Sequence, residues 1–412
     1  MAGAQSQGSA VTDYLISPGE KGEGSSIARI VSEEDTRPKV RSTNDYQLEI
    51  DRVETEQGAY GSQLSEHLVG LGITYQTEGE HDDAIEAFKR AMHVNRVNEG
   101  LYSLSQVPIL ERLIESHVAR GQWSEANDRH QYLYWLHRRN FGTEDPRMLP
   151  VIDKLSAWHL NAYALDMGAG LFNHLISAHK LFNLAVDIID TNYGKNDLRL
   201  IDALRGITVS NYYLATYKGE TEPSFQLRAG SEPTSAEQKA RLDQYITNSY
   251  NSGKRAISRM VNVYANNPDS PPWAEAKAKV ELGDWYLLFN KWQSALAIYQ
   301  ESHDALRDGN IDQTQIDLLF GQPVALPDLP LVDSSVVEED EENQPYVLVS
   351  FDVTPYGRAR NVAIIESMPE DNVRIRSRVR KALKLAKFRP RFENGSPTLT
   401  TGMTHRYLFA DD

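Results

Sequence analysis

Residues 68–92 read LVGLGITYQTEGEHDDAIEAFKRAM, and their spacing decides the fold. Leu71-Gly72, Tyr75, Gly79, Ala84, Phe88 and Ala91 set small and large residues at helical intervals. Gly72 and Ala84 let two helices approach closely, and Tyr75 and Phe88 fill the layer between them. Gly79 is suited to end the first helix. Asp82 or Asp83 is placed to cap the second. The stretch predicts an antiparallel hairpin of a first helix, A, and a second, B.

The pattern recurs along the chain. ILERLIESHVARGQWSEANDRHQYL, from Ile109, places His117, Gly121 and Ala126 each 42 residues after Tyr75, Gly79 and Ala84. Gly100 and Gly142 are also 42 apart. FGTEDPRML, from Phe141, returns as YGKNDLRLI, from Tyr193, after 52 residues. The extra length falls between the helices of the third hairpin, near DMGAGLF, after which Ala178, Phe182 and Ala185 resume the helix B pattern. KVELGDWYLLFNKWQSALAIYQES gives Leu282-Gly283, Tyr286, Ala295 and Tyr299 at the offsets of the first hairpin. In residue type and spacing these hairpins resemble tetratricopeptide (TPR) repeats. That resemblance implies a mainly α protein, a TPR α-solenoid in which each hairpin buries its face against its neighbours and helix A lines a ligand surface. On that expectation Glu66, Ile73 and Gln76 in the first hairpin, and Glu111 and Glu115 in the second, face a bound protein or peptide. They read equally well as solvated helix faces.

The chain has 412 residues and a formal net charge of −15, with 40% hydrophobic and 25% charged residues. These values suit a globular protein of more than one domain and argue against general nucleic-acid binding. Charge is unevenly spread: residues 345–412 hold 12 Lys and Arg against 7 Asp and Glu, the remainder 31 against 51. An acidic body therefore carries a small basic C-terminal part, and a basic or extended peptide is a reasonable ligand for the body. There is no cysteine, so disulfides, thiolate zinc sites and cysteine nucleophiles are excluded. No apolar run approaches the roughly 18 residues of a membrane span, so no membrane insertion by this chain is expected.

The organisation expected from composition is as follows. Residues 1–57 are a disordered or extended N-terminal segment, rich in Ser, Gly and Glu in their first 45 or so. Residues 58–320 are the helical repeat domain, interrupted by a loop, KGETEPSFQLRAGSEPTS, between Tyr217 and Ala236. Residues 321–345, with four prolines and a dense acidic run, form a semi-extended linker whose apolar start, DLLFGQPVALP, is fit to dock on the last repeat. Residues 346–412 form a small α+β domain. There Val347, Val349, Phe351 and Val353 alternate as a strand, Pro355-Tyr356-Gly357 makes a turn, and Val362 and Ile364 lie on a second strand. A helix follows, capped by Asp371 or Asn372, with an apolar stripe through Ile375, Val379, Ala382, Leu383 and Ala386. Asn394-Gly395 is a hairpin bend, and TGMTHRYLF is a last strand.

VLVSFDVTPYGRARNVAIIESMPED, VRKALKLAKFRPRFENGSP and THRYLF together resemble the C-terminal domain of TonB-type energy transducers. The matching elements are Phe351, Gly357, Ser367, Ala382-Leu383, Phe388-Arg389-Pro390, Gly395-Ser396-Pro397 and Tyr407-Leu408-Phe409, about 65 residues in all. The combination with TPR repeats looks like the TPR accessory proteins of TonB systems in Gram-negative bacteria. The resemblance implies a periplasmic location, with a signal peptide removed, and protein binding by strand addition to a sheet edge. Met403, Thr404, His405, Arg406 and Tyr407 would then belong to the edge strand. Its implied partners are TonB, ExbB and ExbD-like motor components or an outer-membrane transporter. A transducer's N-terminal membrane helix, proline-rich spacer and Tyr-Pro motif are missing, so an adaptor role in energy transduction or transport fits better than a self-sufficient transducer. The rival reading is a cytosolic TPR scaffold or co-chaperone with an incidental α+β tail.

No nucleophile–base constellation, phosphate loop or H-E-x-x-H stands out, so neither enzyme activity nor a cofactor or metal is expected. His130 and His137, like His174 and His179, read as packing or surface residues. The cations of RIRSRVRKALKLAK read as the outward face of a packed helix, with no nucleic-acid partner expected.

Overall fold

In the computed structural model the described residues are 42–165, 170–217, 235–326, 346–370 and 372–408. They divide into two compact units: residues 42–162 with 170–171, and residues 163–165 with 172–408. The division falls inside the stretch 58–320, within the third hairpin beside its insertion. Most of that insertion, like the segment 218–234 and much of the linker, lies outside the described residues.

The first unit begins with α1 (Thr43–Gln57), inside the segment expected to be disordered or extended. Ser42 and Asp45 form a capping box: the Ser42 hydroxyl accepts from the Asp45 amide, and the Asp45 carboxylate accepts from the Ser42 amide. Ile50 and Val53 are buried, and a Cβ on Gly70 would lie 2.4 Å from the Tyr46 ring. Thus α1 is held by the next helix, α2 (Leu64–Glu78). The hairpin then closes with α3 (His81–Glu99). Gly79 ends α2 in the left-handed region, with the Glu80 amide donating to the Tyr75 carbonyl at 2.9 Å. The expected aspartate cap is corrected: α3 starts from Glu80 without a side-chain cap, and Asp82 and Asp83 lie in its first turn. They suit the positive end of the helix, and Asp82 pairs with Arg120 of the next hairpin at 2.9 Å. That hairpin is α4 (Val107–Ala119) and α5 (Trp123–Phe141), followed by α6 (Leu149–Ala164). Asn98 donates to the Tyr60 carbonyl and Asn140 to the Tyr102 carbonyl, the same tie one repeat apart.

The second unit holds α7 (Leu171–Asn192), α8 (Leu200–Thr216), α9 (Ser235–Asn266), α10 (Ala274–Leu288), α11 (Trp292–Asp308) and α12 (Gln313–Phe320). One packing device recurs in both units. An added Cβ on Gly72 would meet Phe88 at 2.5 Å, and one on Gly283 would meet Tyr299 at 2.3 Å. Gly206 faces Phe182 and Gly253 faces Trp285 in the same way. A missing Cβ on one helix makes room for an aromatic ring on another, so the glycine–aromatic spacing read from the sequence is the physical reason for TPR-like hairpins.

The same unit ends in an α+β part. The strands are β1 (Val324–Leu326), β2 (Tyr346–Val353), β3 (Ala359–Met368), β4 (Lys387–Arg389), β5 (Phe392–Glu393), β6 (Ser396–Pro397) and β7 (Thr400–Leu408). Between β3 and β4 runs α13 (Val373–Leu385), whose first turn is capped by Asn372 accepting from the Ile375 amide at 3.1 Å. The main sheet is antiparallel in the order β3-β2-β7. Val347, Val349, Phe351 and Val353 of β2 pack with Val379, Leu383 and Phe388. Ala382, expected in the helix stripe, is exposed, because the packed face runs through Ile375, Val379, Leu383 and Ala386. Asn394 and Gly395, at φ of 51° and 77°, make the bend between β5 and β6, as Asn-Gly predicts.

Candidate interaction surfaces

The face of helix A can be followed residue by residue. In the first hairpin Glu66 and Ile73 are exposed. Gln76 is otherwise engaged: its amide donates to the Arg112 carbonyl at 3.0 Å and to Ser116 Oγ at 2.7 Å. It ties α2 to α4, which fixes the spacing of two A helices. Glu111 does the same one helix on, as an ion pair with Lys154 of α6. Glu115 is exposed and, among the described residues, pairs along its own helix with Arg112 at 3.0 Å. Among the five expected positions, Glu66, Ile73 and Glu115 thus present accessible side chains, whereas Gln76 and Glu111 serve the packing of successive A helices.

In the last hairpin the A face is covered by the chain itself. Asp284 follows Gly283 as Ile73 follows Gly72, so it stands at an A-face position, yet only 2% of it is exposed. Arg389 of β4 reaches it with two hydrogen bonds, Nε to Oδ1 at 2.9 Å and Nη2 to Oδ2 at 2.6 Å. The Tyr299 hydroxyl donates to Asp284 Oδ1 at 2.7 Å, and Arg389 Nη1 donates to the Leu319 carbonyl at 3.0 Å. Two fixed planar groups meeting edge to edge make this the directional contact of the junction. One turn earlier Glu281 is also buried. Burial pushes its carboxyl up, against the pull of Arg205 at 3.4 Å.

Further contacts extend the junction on both sides. β1 pairs antiparallel with β4, Val324 opposite Arg389 and Leu326 opposite Lys387. The expected docking of the linker's apolar start is therefore seen as a strand, with Phe320 and Leu326 buried against Tyr299 and Phe392. Phe392 sits 4.9 Å from the Phe320 ring and 5.9 Å from the His303 ring, between centroids. Arg358 donates to Asn290 at 3.0 Å, and the Lys387 ammonium donates to the Leu288 carbonyl. The sequence shows Arg389 only as part of the Phe388-Arg389-Pro390 element of the resemblance and marks no role for Asp284. The available signal was an aspartate set among Leu282, Trp285, Leu287 and Leu288 in the last turns of its helix.

Burial, helped by the Arg358 charge, pulls Lys387 down to about 8. The unfolded side chain titrates near ~10.4. Below pH 8 both states hold the proton and the folded state bears the full cost. Raising the pH through 8 removes that cost, so the second unit should gain stability between pH 8 and about 10.4. Denaturation midpoints at pH 7 and pH 9.5 check this. The rise should be smaller in Lys387→Met, and an equal rise in both proteins would assign it to other groups.

The third surface is β7. It pairs with β2 on one side and has no strand on the other among the described residues. Met403, His405 and Tyr407 stand opposite Phe351, Val349 and Val347, and Met403 and Tyr407 pack against the domain core. Thr404 and Arg406 point to the opposite face, where Arg406 lies 3.9 Å over the Tyr346 ring. Met403 to Tyr407 lie on β7. The remaining candidates are quieter. His130 stacks on Trp158 and is pulled down to about 4, chiefly by burial, as is His179. No group of three or more metal-ligating side chains occurs among the described residues, and none of their helices is long and apolar enough to cross a membrane.

No protein-family model and no characterised protein matches the chain. Among solved structures, the chain aligns at low TM-scores with the following. BtubC (BKLC) from P. vanneervenii shares 13% identity over 67% of this chain and 93% of its own, with a TM-score of 0.37. Two structures of a Podosopora anserina putative kinesin light chain with nearly identical TPR-like repeats give TM-scores of 0.38 and 0.36 at 13% and 14% identity. They cover 59% and 60% of this chain and 94% and 97% of their own.

Proposed function

We propose that this chain is a non-enzymatic protein-interaction adaptor of the Gram-negative periplasm, accessory to a TonB-type energy-transduction or outer-membrane transport system. The observation that carries the reading is a pair of surfaces left open among the described residues. Helix A positions Glu66, Ile73 and Glu115 are accessible, and β7 lies at a sheet edge. The first suits a protein or peptide partner, and the second suits an added strand, whose main-chain hydrogen bonds would supply affinity. The α+β part is fastened to the last hairpin, so the edge strand is presented from a fixed base rather than from a loose tether. Motor components or an outer-membrane transporter are the partners that the TonB-like sequence elements favour.

Capture of partners from envelope extracts tests this with three full-length baits: the unaltered chain, Ile73→Asp, and Thr404→Pro. The unaltered chain should retain at least two membrane-associated proteins, one lost with each variant. Capture of cytosolic proteins alone would favour the co-chaperone reading and reject this one.

A further inference from the structure

The last hairpin shows how a helix A face of this chain holds an extended segment. Residues Lys387–Arg389 run as a short strand, and the anchor is a guanidinium on the carboxylate one residue beyond the hairpin glycine, Asp284 beyond Gly283. In the first hairpin that position is Ile73, beyond Gly72, and the 42-residue period carries it to Glu115 in the second. The second hairpin therefore bears an acid at the place where the fifth holds an arginine.

The two sites differ in what covers them. Asp284 is closed over by β4, whereas the Glu115 side chain is 56% exposed. Its contact with Arg112 is a surface pair within one helix, which is weak and readily exchanged. Gln76 holds α2 against α4 through Arg112 and Ser116, so the face that includes Ile73 and Glu115 is set before any ligand arrives. Ile73, at 37% exposure, offers an apolar contact beside the acid.

We infer that the A face around Glu115 binds an extended, arginine-bearing protein segment, with the guanidinium on Glu115 as Arg389 is on Asp284. This rests on the A-face reading above and adds the chemistry of the ligand. Lysine is a poor substitute, because an ammonium cannot present the paired N–H groups that a carboxylate accepts side by side. The acidic body favours the same sign of ligand, and a flanking apolar side chain would lie on Ile73.

The test uses the full chain and a labelled peptide, KFRPRFE, which copies residues 387–393. In the unaltered protein the fifth hairpin is filled by its own segment, so fluorescence anisotropy reads the remaining A face. The peptide should bind, and Glu115→Gln should weaken it about tenfold or more. Replacing both peptide arginines by lysine should weaken it similarly, while Glu86→Gln, on a B helix, should leave it unchanged. No binding to the unaltered chain, or equal binding to Glu115→Gln, overturns the inference. Loss of binding in Ile73→Asp with no effect of Glu115→Gln or of lysine would also overturn it. That last result would leave the adaptor reading in place, since it would locate the ligand on the same face without arginine recognition.

Discussion

Replacing Arg389 by Ala is expected to destabilise the second unit by about 3–5 kcal/mol and to release the α+β part from the last hairpin. The guanidinium and the Asp284 carboxylate are 7% and 3% exposed as side chains. Removing one leaves the other charged, buried and short of partners. After Arg389→Ala, Asp284 keeps only the Tyr299 hydroxyl of the contacts described above. After Asp284→Ala, Arg389 keeps the Leu319 carbonyl. Each single change should therefore cost more than a double change to Asp284→Leu with Arg389→Met. In the double change both desolvation penalties vanish together, and only two neutral hydrogen-bonding groups lose their partners. Hydrogen exchange followed on peptides covering β1 and β4 is the direct measurement, because those strands pair with each other along this junction; β4 also bridges Arg358, with the Phe388 amide donating to the Gly357 carbonyl at 3.0 Å. Protection there should drop in the single variants while β2 and β3 remain protected. Unchanged protection of β1 and β4 in Arg389→Ala would mean that the apolar contacts of Phe392 and Leu326 hold the domain without the ion pair.

That ion pair also marks the limit of what sequence could show. Gly72 with Phe88, and Gly283 with Tyr299, are both sixteen residues apart, so their packing is written in a local period. The β2–β3–α13–β7 order was legible for the same reason: alternation, a turn glycine and a helix stripe follow one another without interruption. Asp284 and Arg389 are 105 residues apart, and no period links them. By pattern Asp284 belonged to the face that is accessible in the first and second hairpins. Gln76 and Glu111 show the same limit from the opposite direction. A polar side chain on an A helix looks free unless the next A helix is known to pass beside it, and only the tertiary spacing brings Ser116 and Lys154 within reach. The helix at Thr43–Gln57 was missed because composition outweighed a short signal, the Ser42–Asp45 capping box followed by Tyr46, Ile50 and Val53 at helical spacing. Of the proposed surfaces, the β7 edge was implied only by the TonB-type resemblance. The closure of the fifth hairpin was not.

Gly283→Val should be the second large effect, with a loss of about 3 kcal/mol. An added Cβ lies 2.3 Å from Tyr299 Cε1, 2.6 Å from Cδ1 and 3.0 Å from Ile298 Cγ2. The ring cannot step aside cheaply. Tyr299 is fully buried, its hydroxyl is held at 2.7 Å by Asp284, and its other edges meet Phe320 and Phe392. Helix propensity alone would favour almost any replacement of a mid-helix glycine, by up to ~1 kcal/mol for Ala, so a net loss can come only from packing. Gly79→Ala is the control. It puts a side chain at φ +80° with nothing within 4 Å, and should cost only about 1 kcal/mol through backbone strain. Equal losses in thermal or denaturant melts would refute the packing account. Two further consequences separate it from general damage. First, Tyr299→Leu combined with Gly283→Ala should cost less than the sum of the two single changes, because the smaller side chain vacates the space that the new methyl needs. Second, displacing Tyr299 pulls its hydroxyl from Asp284, so Gly283→Val should also reduce β1 and β4 protection, though the substitution touches neither strand. The glycine that lets α10 meet α11 thereby helps hold Asp284 in place for Arg389, and the repeat's own packing rule sets how firmly the edge-strand domain is mounted.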